Sequence, residues 1–160
     1  MIGAWSEHSD GVDPSNQNNP YSGAAYVFVR DANGAWAQQV FLKSSTSVPG
    51  WPVFTTGRFG SSVALHGRTV VVGALGEHLD PAGTVVEGQG AIYVFAGDTA
   101  GGWSRLAMIK PALLDDQDYF GSSVSFDGRT VASGTPGDDS DGSSETDNSV
   151  FAAGAVYVFE

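Results

Sequence analysis

The chain contains no cysteine, so neither disulfides nor thiolate metal sites are available to it. Its 160 residues hold no apolar run long enough to cross a bilayer as a helix, which argues against membrane insertion. No charged-then-apolar leader pattern opens the sequence, so a secretion signal is expected to be absent or already removed. There is no Asn-x-Ser/Thr glycosylation sequon. Basic residues are scarce: 7 Lys and Arg face 18 Asp and Glu, for a formal charge of −11. The basic footprint of a nucleic-acid binder is therefore missing, and an anionic membrane would repel the surface. Helix formers are sparse, whereas Gly (22 residues), Val, Tyr, Phe, Ser and Thr dominate the ordered-looking stretches. That composition predicts many short strands joined by tight turns. Low lysine with abundant Asp, Gly, Ser and Thr suits an extracellular or cell-surface setting.

What the chain does have is repetition. Gly23-Ala-Ala-Tyr-Val-Phe28 returns as Gly90-Ala-Ile-Tyr-Val-Phe95 and as Gly154-Ala-Val-Tyr-Val-Phe159, and Phe59-Gly-Ser-Ser-Val63 returns as Phe120-Gly-Ser-Ser-Val124. The spacings are 67, 64 and 61 residues. A period of this length points to a propeller or a related array. In the best-defined copy, Phe59–Leu65, Thr69–Ala74, Ala91–Phe95 and Trp103–Ile109 read as four strands, with a tight turn at His66-Gly67-Arg68 and a long loop from Leu75 to Gln89. The third of these is apolar on both faces and is expected to be covered on both sides. Trp36 and Lys43 repeat the spacing of Trp103 and Lys110, which supports the register. The expected fold is all-β, with no helix: antiparallel four-stranded β-propeller blades, each too apolar on both faces to stand alone. The organisation is a single segment, 1–160, made of a partial blade (1–43), a blade (59–110) and a partial blade (120–159).

Phe59-Gly60 lies about fourteen residues before Gly73-Ala74-Leu75, and Phe120-Gly121 stands in the same relation to Gly134-Thr135-Pro136. Gly3-Ala4 matches the tail of another copy. With the Gly-Ala-x-Tyr-Val-Phe strand and the Trp strand that follows it, this order resembles the FG-GAP repeat of integrin alpha-chain heads and their bacterial relatives, over essentially the whole chain. The resemblance implies a seven-bladed propeller that acts by binding, usually outside the cell. Many such repeats hold calcium between their first two strands. Here those connections, Leu65–Thr69 and Phe126–Thr130, are too short to wrap a cation, so that site is not carried over. About two and a half blades fit in the chain, so it is either part of a larger propeller or a subunit whose blades are completed by neighbouring copies in a ring or fibre.

Alternating strand direction sends loops to two faces. One face collects the long loops Trp5–Ser22, Leu75–Gln89, Pro136–Ala153, Ser44–Arg58 and Pro111–Tyr119. Of the acids, only Asp31, Asp98, Asp127 and Glu160 lie outside them. This elaborate, anionic face is the expected binding surface for a protein or glycan. Within it, acids follow each Gly-Ala or Gly-Thr in register: Glu7 and Asp10, Glu77 and Asp80, and Asp138, Asp139 and Asp141, continuing to Glu145 and Asp147. Two readings stand side by side. Carboxylates at this spacing suit calcium, the one possible cofactor, best in Asp138–Asp147; alternatively the acids brace turns and line a solvated face.

His8 and His78 sit beside these acids and are expected to be solvated turn residues rather than a zinc pair; His66 lies on the opposite face. No nucleophile-elbow pattern appears, and a non-enzymatic role is expected. Tyr26, Phe28, Tyr93, Phe95, Tyr157 and Phe159 are expected in the core. Phe59, Phe120, Trp36 and Trp103 are expected between blades. Trp5, Tyr21, Trp51, Phe54 and Phe151 do not recur; Trp51, Phe54, Trp5 and Tyr21 are candidate partner anchors, or small satellite clusters under their loops. The leading function is a non-catalytic extracellular adhesion module, with self-assembly as the alternative.

Overall fold

A computed structural model describes residues 1–9, 15, 19–44, 57–78, 85–144 and 146–160. These contain ten strands and no helix: β1 (Ile2–Ala4), β2 (Ala24–Arg30), β3 (Trp36–Leu42), β4 (Phe59–His66), β5 (Thr69–Ala74), β6 (Ala91–Gly97), β7 (Trp103–Ile109), β8 (Ser123–Phe126), β9 (Val131–Thr135) and β10 (Ala155–Phe159). They form three antiparallel meanders ordered β1-β2-β3, β4-β5-β6-β7 and β8-β9-β10. The middle one has the four strands expected of a blade. Repetition extends to the irregularities: the β2–β3 ladder slips between Val27 and Phe28, and the β6–β7 ladder between the equivalent Val94 and Phe95. The β4–β5 hairpin closes on two residues, with Gly67 supplying φ 57° at the first.

Strand β6 shows why the sheets stack. Its odd-numbered side chains, Tyr93 and Phe95, join Phe59, Val70, Val72, Ala25 and Val27 in a core between the first and second sheets. Its even-numbered Ile92 joins Val71, Phe120 and Val131 in a second core between the second and third sheets, with Val94 packed against it. Both aromatic Phe-Gly residues are fully buried, Phe59 edge-on to Tyr93 (5.4 Å) and Phe120 edge-on to Tyr157 (5.8 Å). Trp103 also packs as expected, but Trp36 does not: it stands at an edge of the first sheet and is 67% exposed.

The sheets are locked backbone to backbone by the Phe-Gly pair. Gly60 and Gly121 both have φ near +86°, a left-handed conformation that favours glycine. Phe59 pairs in a parallel bridge with Gly23, and Phe120 with Gly90. Their amides donate to Ser22 O (3.1 Å) and Gln89 O (2.9 Å). A Cβ on Gly23 or Gly90 would collide with the carbonyl oxygen of Phe59 or Phe120, and one on Gly3 or Gly73 with that of Gly60 or Gly121. Ser62 Oγ donates to Gly121 O at 2.8 Å, tying the second sheet to the third. The glycines of the Phe-Gly and Gly-Ala pairs thus leave room for one sheet's main chain to enter the next.

This geometry separates two chemically identical substitutions. Gly90 and Gly154 hold equivalent positions at φ 83° and 77°, but a Cβ on Gly154 would meet nothing closer than 3.7 Å. Gly90→Ala is expected to cost about 3 kcal/mol or more in thermal unfolding, from backbone collision added to left-handed strain. Gly154→Ala should cost about 1 kcal/mol from the strain alone. Equal losses would refute the wedge as the source of the requirement.

Candidate functional site

The long loops leave their blades through a shared neck. After β1, Gly23 N donates to Glu7 O (2.9 Å) and Asn19 N to His8 O (2.9 Å). After β5 the same pair is Gly90 N to Glu77 O (3.0 Å) and Val86 N to His78 O (2.9 Å); after β9 it is Gly154 N to Asp138 O (2.8 Å) and Val150 N to Asp139 O (2.9 Å). Each loop is pinched at its base by two backbone hydrogen bonds, whatever its length or tip sequence.

The register-keeping acid of each neck turns inward. Glu77 is buried; its Oε2 accepts from Tyr93 OH at 2.6 Å and its Oε1 from the amide of His78. Asp138 is also buried, with Oδ2 accepting from Tyr157 OH at 3.1 Å and Oδ1 from the amide and hydroxyl of Ser140. Glu7 pairs with Lys43 at 2.6 Å and accepts from the Ser9 amide, while Lys43 also donates to Ser22 Oγ. Partial burial works to raise the pKa of Glu7, but Lys43 and Ser9 outweigh it and hold the carboxyl below the ordinary range. Burial likewise opposes, and the hydrogen bonds from Ser140 and Tyr157 achieve, a lowered pKa at Asp138. The tyrosine of the Gly-Ala-x-Tyr-Val-Phe strand thus ties the neck to the blade at Glu77 and Asp138.

The remaining acids differ in placement. Asp139 Oδ1 accepts from Ala152 N (2.6 Å). Asp141 and Asp147 brace the 138–147 loop, through Ser143 N to Asp141 Oδ1 and Asp141 N to Asp147 Oδ2. Asp10, Asp80 and Glu145 lie outside the described residues, as do Trp51 and Phe54. Among the described residues, no three His, Asp or Glu side chains stand close enough together to hold a metal ion. On the opposite face Asp31 and Asp98 brace equivalent turns, each accepting from the amides two and four residues on.

Two residues on the loop face escaped the sequence reading. Asp118 is buried, accepts from Asp115 N at 2.7 Å, and has its pKa raised, chiefly by burial and further by the charges of Asp138, Asp115 and Asp139. Asn148 donates to Asp115 Oδ2 at 2.7 Å, joining the loops that precede β8 and β10. Neither repeats between copies, so self-similarity gave no signal for them.

His78 departs from expectation. It is only 4% exposed, and its Nδ1 accepts from Gly88 N at 3.0 Å, which makes it part of the neck rather than a solvated turn residue. His66, by contrast, is exposed on the other face. Trp5 and Tyr21 come together as a stacked pair at 6.2 Å, with His8 against Tyr21 and the Arg58 guanidinium 5.6 Å over Trp5. Trp5 remains exposed. Phe151 projects almost fully, at 90% exposure, beside a recess of about 360 Å³ lined by Asp116, Tyr119, Pro136 and Asp139. The five described non-glycine residues with left-handed φ, Tyr21, Arg58, Gln117, Tyr119 and Ala152, all belong to this face.

Comparison with known families matches this architecture at its central blade. Residues 55–95 match the FG-GAP repeat. The match takes in the Phe59-Gly60 wedge, the Gly73-Ala74 seat and the strand to Phe95, the parts on which blade stacking rests. The FG-GAP repeat is that of propeller-type modules, and the all-β meanders agree with it. No curated protein shows significant similarity to the chain.

The crowding around Asp118 has a definite sign. Its folded-state pKa is raised, so the native state takes up a proton more readily than the unfolded chain. Ionised Asp118 therefore costs stability above that pKa, and the cost vanishes as pH falls through it. Asp118→Asn keeps an acceptor for Asp115 N and should raise the melting temperature at neutral pH, with the gain disappearing by about pH 4. A gain independent of pH, or a loss at neutral pH, would contradict the assignment.

Proposed function

We propose that this chain is a non-catalytic binding module of the adhesion type, working outside the cell and presenting the tips of its long loops to a protein or glycan. The observation that carries the reading is the constant neck beneath variable tips. Three loops share two backbone hydrogen bonds and an inward-turned acid, while everything beyond the neck differs from blade to blade. A scaffold that spends its repeated residues on holding loops leaves the unrepeated ones for recognition. Phe151 and the Trp5–Tyr21 pair supply apolar contact area on that face, and the recess beside Phe151 supplies shape. His78 serves the neck, and the family's repeat is a binding scaffold, which supports a role without catalysis.

The reading is tested by screening the chain against glycan and extracellular-protein arrays, then repeating any hit with Phe151→Ala, Trp5→Ala and, as the control on the opposite face, Arg68→Ala. The expected result is a partner whose retention falls at least tenfold with the loop-face variants and is unchanged by Arg68→Ala. Equal loss with all three, or loss only with Arg68→Ala, would reject the loop face.

Calcium is a separable second part of this proposal. Its support is the placement of Asp115, Asp138 and Asp139 around Asp118: burial chiefly raises the pKa of that carboxyl, its neighbours' charges raise it further, and a cation drawn among the loops would relieve this repulsion. Millimolar calcium is then expected to raise the melting temperature by several degrees over the chelated protein. No shift would remove calcium and leave partner binding standing.

A further inference from the structure

The turn between β2 and β3 carries a chemistry that its twin between β6 and β7 lacks. Both turns are built on one aspartate. Asp31 Oδ1 accepts from the amides of Asn33 (2.9 Å) and Ala35 (2.8 Å), and Asp98 Oδ1 from those of Ala100 (2.8 Å) and Gly102 (2.7 Å). Both are closed by the aspartate's own amide, Asp31 N donating to Ala35 O and Asp98 N to Gly102 O. Gly34 and Gly101 follow at φ 86° and 93°. Where the second turn has Ala100-Gly101, the first has Asn33-Gly34, and Asn33 is the one asparagine of five in the chain that precedes a glycine.

An asparagine side-chain carbonyl is open to attack by the next residue's amide nitrogen. A side chain on that next residue hinders the approach, and glycine has none. Asn33 is exposed, so water and base reach it. Asn19 precedes Pro20, which has no N–H, and Asn148 precedes Ser149 with its Nδ2 donating to Asp115. The folded turn holds Asn33 back. Gly34 N donates to Asp31 O at 3.0 Å, Gly34 O accepts from Arg30 Nε at 3.0 Å, and Asp31 Oδ1 fixes the amides on either side. The nucleophile is therefore engaged elsewhere until the turn opens, and a near-attack geometry is reached only then.

We propose that Asn33 is a site of spontaneous deamidation whose rate is set by the Asp31 clamp. Gly34 N bonds to Asn33 Cγ, the bond from Cγ to the side-chain nitrogen breaks, and that nitrogen leaves as ammonia with the proton given up by Gly34 N. Water then opens the resulting five-membered imide at either carbonyl, giving aspartate or isoaspartate at position 33. Both products add a negative charge beside Asp31. Isoaspartate also carries its Cβ in the main chain, which lengthens the turn by one atom and works against the pairing of Asp31 with Ala35. The site lies on the face opposite the long loops and is independent of the loop-face reading.

The test ages the whole chain at physiological temperature in neutral and mildly alkaline buffer and follows it by peptide mass mapping. Conversion of amide to acid is expected at Asn33 ahead of the other four asparagines, and faster at the higher pH because Gly34 N must lose its proton. Labelling by isoaspartyl methyltransferase should appear on the converted peptide. Isomerisation at Asp127-Gly128 or Asp141-Gly142 leaves the mass unchanged and is not confused with it. Asp31→Ala should speed conversion at least threefold. Asp98→Ala, which opens the twin turn, should leave the rate at Asn33 unchanged and so separates the clamp from general loosening. Asn33→Ala, which copies Ala100, should abolish conversion with the melting temperature unaltered. The proposal is overturned if Asn33 stays intact over weeks in which a free peptide of residues 30–36 converts. It is equally overturned by equal rates in the unmodified and Asp31→Ala chains, or by equal acceleration with Asp98→Ala.

Discussion

Everything in this fold depends on how closely one sheet's backbone can approach the next. Side-chain packing alone would hold neighbouring sheets about 10 Å apart, as in ordinary sandwiches. Here the Phe-Gly pair enters the preceding sheet at its Gly-Ala edge, and the approach is so close that a methyl group at Gly23, Gly73 or Gly90 has nowhere to go. The phenylalanine and the glycine do different work. Phe59 and Phe120 bury their rings in the cores between sheets and provide the apolar driving force. Gly60 and Gly121 make the final approach possible and fix its register. A glycine costs backbone entropy on folding; the structure recovers this through the hydrogen bonds that only close approach allows, from Phe59 N, Phe120 N and Ser62 Oγ.

The acidic character of the chain takes on a different meaning once the necks are seen. Formal charge suggests a surface bristling with carboxylates, yet Glu7, Glu77 and Asp138, the first acid of each neck, are largely withdrawn from water. Burying a carboxylate is costly unless it is hydrogen-bonded. Glu77 and Asp138 are each satisfied by the tyrosine hydroxyl of their own third strand and by nearby amides or hydroxyls, and Glu7 by Lys43. The repeated tyrosine is therefore a core residue with its polar end placed where the loop leaves. Asp118 is the contrasting case, a buried acid among like charges.

Repetition made the blades legible. Strands β4 to β7 fall within a residue or two of where the spacing of Phe-Gly, Gly-Ala and Trp put them, and the two-faced apolar pattern of β6 anticipated a neighbour on both sides. The face that gathers the long loops was legible for the same reason, since strand direction follows from strand count. What repetition could not disclose was the direction in which a side chain points at a neck. Glu7, Glu77 and Asp138 look like surface acids because their partners are distant in sequence: Tyr93 and Tyr157 lie 16 and 19 residues from Glu77 and Asp138, and Lys43 lies 36 residues from Glu7. His78 was misjudged for that reason: its partner, Gly88 N, is brought to it only by closure of the loop. Trp36 erred in the other direction. Its match to Trp103 is real in register, but Trp103 belongs to a sheet with a neighbour to pack against, and Trp36 to the first sheet, where that side is open.

Separating the neck from the tip also separates what holds the blade from the residues proposed to meet a partner. A substitution beyond the neck changes what the loop offers without touching the two backbone hydrogen bonds or the inward acid, so tips are free to diverge while the blade persists. Loops of neighbouring blades are held at a spacing set by sheet stacking, and Asn148 bound to Asp115 joins two of them across the face. The described bases of these loops are thereby fixed relative to one another, which would limit the ordering entropy lost by the proposed binding. The stacking faces use a different chemistry from the loops: they join main chain to main chain through glycine and phenylalanine, whereas the residues beyond the necks are not repeated from blade to blade.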